Sequence, residues 1–175
     1  KGRVFQHPSW DDGGFMGPIT RDGLGNVYAA PIPVISTFYN PTLSQNDLYR
    51  VDGISGVLTR ALSLPPARAP DDTNPYGIMG LTLDCDTNSL YVSSVLGSTR
   101  KQERGRLYRV DIATGAVLAQ LDGIDAIGLG VFNGAGGTHR AVAHKTNGLV
   151  RPFDVGLVEG VLQGGWNRVV IFWGD

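Results

Sequence analysis

The chain has 175 residues, room for one ordinary domain rather than two. Hydrophobic residues make up 42% and charged residues 18%, a composition that supports a packed core and excludes a disordered chain. The 15 basic and 16 acidic residues nearly cancel, so no nucleic acid is expected as a partner, and no apolar run approaches the ~20 residues of a membrane-spanning helix.

The 25 glycines and 10 prolines are spread without a collagen-like period. Many turns, and therefore many short strands, are expected. No stretch of eleven or more residues shows a 3.6-residue period with caps, so an all-β chain is expected. The start, Lys1-Gly2-Arg3-Val4-Phe5, does not read as a signal peptide. It reads as the interior of a longer chain, with Gly2 to Gln6 an outer strand lacking its own sheet.

The first matched strands are Gly17-Pro18-Ile19-Thr20 and Val27-Tyr28-Ala29-Ala30, joined by the turn Asp22-Gly23-Leu24-Gly25-Asn26. After a long connection comes Leu48-Tyr49-Arg50-Val51-Asp52, then a turn ending Ser55-Gly56 and an apolar strand over 57–64. The alternation places Leu and Arg on one face of the strand and Tyr and Val on the other. The Asp side chain can hold the amides ahead of it, and the glycine accepts positive φ.

The quartet then recurs. Gly77 to Leu83 and Leu90-Tyr91-Val92-Ser93-Ser94 flank the turn Asp84-Cys85-Asp86-Thr87-Asn88. Leu107-Tyr108-Arg109-Val110-Asp111 repeats the earlier pentapeptide 59 residues on, followed in register by Thr114-Gly115 and Leu121. Cys85, the single cysteine, reads as an inert turn residue, and no internal disulfide can form.

A looser third copy begins with Ile127 to Phe132 and Arg140 to His144. Leu149-Val150-Arg151-Pro152-Phe153-Asp154-Val155 stands where the pentapeptide would, and 166–173 supplies a fourth strand. Pro152 removes a ladder donor and marks an edge or a bulge.

Four antiparallel strands repeated at this spacing resemble β-propeller blades. Blade one is expected over about 11–64, blade two over about 75–122 and blade three over about 126–173. The pattern Asp-x-x-Gly-Asn-Val-Tyr followed by Leu-Tyr-Arg-Val-Asp-x-x-(Ser/Thr)-Gly is similar to the six-bladed group of NHL-repeat and gluconolactonase-like (SMP-30-like) proteins. The rival architecture is a β-sandwich of about twelve short strands, but sandwich strands have no reason to repeat as quartets.

Three blades do not close a ring that typically holds ~4–8. The expected partners are therefore further blades, from the same longer chain or from a second copy, making these three half of a six-bladed ring. The related families are often extracytoplasmic, so a secreted or periplasmic location is expected.

Propeller ligands sit where loops enter each first strand and where second and third strands are joined. The entering loops carry Asp11-Asp12, Asp71-Asp72-Thr73-Asn74 and then Asp122 with Asp125. A ring of carboxylates suits calcium, with Asp12, Asp72 and Asp125 as ligands, though the same residues serve ordinary turns. Asn74, Tyr76, His144 and Asn147 join Asp12, Asp72 and Asp125 as candidate ligand contacts, and Phe38, Tyr39 and Asn40 stand on the first long connection.

The gluconolactonase-like family holds its metal with a Glu, an Asn and an Asp from separate blades. The position comparable to its Glu reads Phe15-Met16-Gly17 here. No Gly-x-Ser-x-Gly elbow, His-Glu-x-x-His or phosphate loop occurs. The leading expectation is a non-catalytic module binding protein or glycan on its loop-bearing rim. A metal-dependent hydrolase of the gluconolactonase type is the alternative. The basic cluster over 100–106 reads as a solvated loop.

Overall fold

Asp-led turns and alternating apolar strands build two four-stranded antiparallel meanders and one hairpin. The computed structural model describes residues 5–33, 45–69, 74–133 and 139–145, the side chains of 132, 133 and 139–145 excepted. Sheet one comprises β1 (Met16–Arg21), β2 (Val27–Pro31), β3 (Asp47–Val51) and β4 (Leu58–Ser63). Sheet two comprises β5 (Ile78–Asp84), β6 (Ser89–Ser94), β7 (Arg106–Asp111) and β8 (Val117–Asp122). The hairpin pairs β9 (Ala126–Asn133) with β10 (His139–Lys145). Each sheet runs in chain order, and both quartets fall where the sequence repeat places them. The third and fourth strands expected within 149–173 lie outside the described residues.

Two local features differ from expectation. Phe5 and Gln6 join no strand; Phe5 instead sets its ring edge-on to Trp10, 5.9 Å between centroids. A 3-10 helix, Pro8–Gly13, follows. His7 Nδ1 accepts the Ser9 amide, and Pro8 opens the helix with φ already set. Six residues are too few for a 3.6-residue period to show.

The turns repeat in detail. The Asp52 carboxylate accepts the amides of Ile54 and Ser55, and Asp111 accepts those of Ala113 and Thr114. Gly56 at φ +74° and Gly115 at φ +72° close both turns in a conformation that favours glycine. Asp22 does the same for the β1–β2 turn: its Oδ1 accepts the amides of Leu24 and Asn26, and its Oδ2 accepts the Asn26 side-chain amide at 2.7 Å. Asn26 Oδ1 then accepts from Arg50 at 2.8 Å and from the Gly53 amide, tying two turns together.

The sheets stack through non-equivalent faces. Sheet one presents Tyr28, Ala30, Leu48 and Leu64 to the shared core. Sheet two meets them with Leu81, Leu90, Val92, Tyr108 and Val110. In the repeated pentapeptide, then, Leu48 points forward from sheet one, whereas Tyr108 and Val110 point back from sheet two. The forward face of sheet two carries Gly80, Ser93 and Leu107 in one register, and there the Ile127 carbonyl and the Leu129 side chain crowd Gly80. One rule of stacking thus serves both junctions. The first strands β1, β5 and β9 adjoin in series.

Ten buried residues form the seam, and each fully buried large side chain contributes about 1.5–3 kcal/mol. Single cross-sheet hydrogen bonds, such as Tyr108 donating its hydroxyl to the Pro65 carbonyl, contribute about 1 kcal/mol each. Apolar burial therefore holds the sheets together, and the hydrogen bonds fix their register.

Gly77 lies at the same seam, where a Cβ would overlap the Gln45 carbonyl oxygen. Ile78 donates its amide to that oxygen, so the carbonyl cannot withdraw without losing the bond. Gly77→Ala is expected to destabilise the protein by about 2 kcal/mol or more, read from the urea midpoint. A midpoint within about 0.5 kcal/mol of the parent would show that the two sheets do not need this approach.

The Asp22 carboxyl carries a pH signature. Burial acts to raise its pKa, but the bonds from the Asn26 side chain, the Asn26 and Leu24 amides and the Tyr28 hydroxyl outweigh it and hold the group below the ordinary value. With the folded-state pKa depressed, this stabilisation is complete above the unfolded value near ~3.9 and is lost as pH falls through the folded value. Asp22→Asn should cost about 1–3 kcal/mol at neutral pH. The gap from the parent should close on acidification below about pH 4, and a gap constant to about pH 3 would refute the assignment.

Candidate functional site

The connection between β6 and β7 is a fixed structure. Thr99 and Gln102 exchange backbone bonds at 2.9 and 3.2 Å, closing a small bridge at its tip. The Asn74 side-chain amide donates to the Val95 and Ser98 carbonyls, both at 2.9 Å, while its Oδ1 accepts the Tyr76 amide. Asp125 holds the other flank, where its Oδ1 accepts the Ser98 hydroxyl and the Gly105 amide. The Arg104 amide donates to Ser98 Oγ at 2.8 Å. A loop braced from both sides needs little further ordering to bind something.

Between this loop, the segment entering β5 and the start of β9 lies a cleft of about 390 Å³. Its walls include Tyr76, Met79, Val95, Thr99, Arg100 and Ile127, with Asn74, Ser98 and Asp125 at its polar margin. Tyr76 and Ile127 are each 36% exposed, leaving two apolar surfaces facing open space.

Three candidates read from sequence, Asn74, Tyr76 and Asp125, therefore come together in one concavity. Asn74 and Asp125 brace the loop, and Tyr76 is the free one. Asp12 stands elsewhere, exposed on the 3-10 helix that packs against β4. His144, the last residue of its expected strand and a candidate contact, lies within β10 opposite Gly128, and the β9–β10 ladder runs on to Lys145. Asp72, Asn147, Phe38, Tyr39 and Asn40 lie outside the described residues. Among the described residues no three His, Cys, Asp or Glu side chains gather where they could hold a metal ion. No helix among them is long and apolar enough to cross a membrane.

The basic cluster divides by role. Arg106 forms a two-point pair with Asp122, with Nη2 to Oδ2 at 2.8 Å, and also reaches the Pro65 carbonyl. The Arg106 bonds hold the Asp122 carboxyl below its ordinary pKa, against a smaller effect of burial. Asp122 is thus committed to an ion pair and does not serve the rim as a free carboxylate. Arg104 donates to the Gln102 side chain. Arg100, read in sequence as part of a solvated loop, lines the cleft. Nothing in the linear pattern separates it from Lys101 or Arg104; the Thr99–Gln102 bridge does.

A second polar feature is buried within the sheets. Burial pushes the Tyr91 hydroxyl up to about 12, with Arg109 opposing and Asp84 adding to the rise. Tyr28 stands in the same relation to Asp22 and Arg50: burial raises it, Asp22 adds and Arg50 opposes. Each sheet thus carries one Asp–Tyr–Arg set on its forward face.

Compared with protein families, curated proteins and solved structures, the chain finds no match.

Asn74→Ala removes three hydrogen bonds from the cleft wall and leaves the carbonyls of Val95 and Ser98 without this donor. It should lower stability by about 1–3 kcal/mol and speed hydrogen exchange over residues 95–105 selectively. Uniform exchange changes across both sheets would show that Asn74 does not brace this loop.

Proposed function

We propose that the three sheets are consecutive blades of a β-propeller and that the protein is a non-catalytic binding module. It takes its ligand, a protein or glycan, on the rim that carries the long connections over 31–47 and 95–106. The observation that supports the architecture is the head-to-tail stacking, in which the forward face of one sheet covers the backward face of the next. Heterologous contacts of this kind add units until a ring closes or continue without end. Adjoining first strands favour the ring, because sheets that meet along one edge can fan around an axis.

Sheet one then has a backward face that calls for a blade of its own. That face carries Ile19, Ala29, Tyr49 and Arg60 in one register across the four strands, with Val51 beside Tyr49 on β3. Trp10 and the 3-10 helix cover its β4 side, with the Trp10 ring nitrogen donating to the Gly56 carbonyl at 2.8 Å and the Leu58 amide donating to Ser9 Oγ. On β1, Ile19 remains 65% exposed. Further blades, from the same longer polypeptide or from a second copy, complete the ring at this face.

Binding at the rim draws its support from the braced loop and its cleft. A module whose polar rim groups are spent on holding a loop in place is suited to recognition rather than to moving protons.

Light scattering with intact mass of the denatured chain tests the ring. A particle of twice 18.7 kDa is expected from this chain alone, and Ile19→Asp should return it to the monomer. A denatured chain heavier than 18.7 kDa would assign the missing blades to the same polypeptide. A stable monomer of 18.7 kDa, unmoved by Ile19→Asp, would overturn the proposal.

A further inference from the structure

We infer that the cleft beside Arg100 takes a carboxylate carried on an apolar body about the size of one amino-acid residue, such as the C-terminal residue of a bound polypeptide. This rests on the reading of the loop-bearing rim as the binding face and gives that face its ligand chemistry.

The donors and acceptors of the walls lead there. Both side-chain N–H bonds of Asn74 are committed to backbone carbonyls, and its oxygen is committed to the Tyr76 amide. The Ser98 hydroxyl proton is committed to Asp125. Thr99 Oγ1 accepts the Gln102 amide, which leaves its proton to donate outward. Tyr76 lines the cleft with a hydroxyl-bearing ring, and Arg100 is exposed with its five N–H donors. The groups left to meet a ligand are therefore mostly donors, and one of them is a full positive charge. A planar guanidinium matches a carboxylate through two parallel bonds.

The remaining wall is apolar. Met79, Val95 and Ile127 offer surface to a hydrocarbon body, with the Tyr76 ring at its side. A volume of about 390 Å³ suits a compact ligand rather than an extended chain. Asp125 lines the cleft as well: its Oδ1 is taken by the Ser98 hydroxyl and the Gly105 amide, and a carboxylate there suits a ligand that brings a donor of its own, as a peptide N–H would. A bare inorganic anion has neither the apolar body nor that donor.

Three probes separate the parts of this inference: N-acetyl-leucine, its carboxamide, and a tetrapeptide ending in leucine with a free carboxylate. Each is titrated into the isotopically labelled chain and followed by amide chemical shifts. The free acid should bind with a dissociation constant on the order of 1 mM, shifting residues 95–105 and the start of β9. The carboxamide should bind about tenfold more weakly, and Arg100→Gln should remove that difference while leaving the thermal midpoint unchanged. A tetrapeptide tighter than the free acid assigns a polypeptide end as the ligand; equal affinity assigns a free organic acid. Equal shifts from acid and carboxamide, or an acid that still binds Arg100→Gln fully, overturn the carboxylate while leaving the rim as a binding face. No shift at any rim loop with any probe at about ten times that concentration overturns this ligand class, and the rim reading falls only if protein and glycan libraries also leave those loops unmoved.

Discussion

Everything in this fold depends on the apolar seam between unlike faces of successive sheets. Neither sheet is self-sufficient: an isolated four-stranded meander would leave its apolar side in water. Tyr108 and Val110 looking back, and Leu48 and Tyr28 looking forward, bury each other without either face having to match itself. A two-fold interface would demand a self-complementary face; this arrangement demands only that the forward face of one sheet fit the backward face of the next. The turns, the braced loop and the cleft are all positioned by that fit, because the segment entering β5 reaches the cleft across the seam, where Ile78 bonds to Gln45.

Polar burial follows the same rule. Each sheet holds an Asp–Tyr–Arg set near its Asp-led turn, so the strands are pinned at one end by charged hydrogen bonds and gripped along their length by apolar contacts. Asn26 shows how little is needed to couple neighbouring turns, since one amide side chain serves the β1–β2 and the β3–β4 connections together. At the opposite end of the sheets the equivalent polar groups brace a loop rather than a turn, and there the concavity opens.

Much of this was legible in the residues alone. The strand quartets, the Asp and Gly of each turn and the opposed faces of Leu-Tyr-Arg-Val all follow from a two-residue period and from turn chemistry, which act locally. The cleft was legible only in part. Asn74, Tyr76 and Asp125 could be placed on one rim by their position before or between strands, but whether a rim residue faces a ligand or supports a loop depends on partners far away in sequence. Asn74 finds its partners at Val95 and Ser98, and Arg100 is separated from its basic neighbours by a two-residue bridge. The 3-10 helix leaves no periodic trace in the sequence, because His7 and Pro8 specify it through a single cap and a fixed φ. At His144 the end of the apolar pattern falls one residue short of the backbone ladder, which runs on to Lys145.

Because every strand pairs with its neighbour in sequence, the order of assembly is written into the connectivity. Hairpins can form early from contacts close along the chain, and only the docking of one finished sheet on the next requires distant segments to meet. Such a chain behaves like a one-dimensional stack, in which opening begins at an end whose face lacks a neighbour and moves inward one sheet at a time. Trp10 and the 3-10 helix, seated on the β4 side of sheet one, tie down that half of its backward face, so it is the β1 side, where Ile19 is exposed, that would loosen without a neighbour.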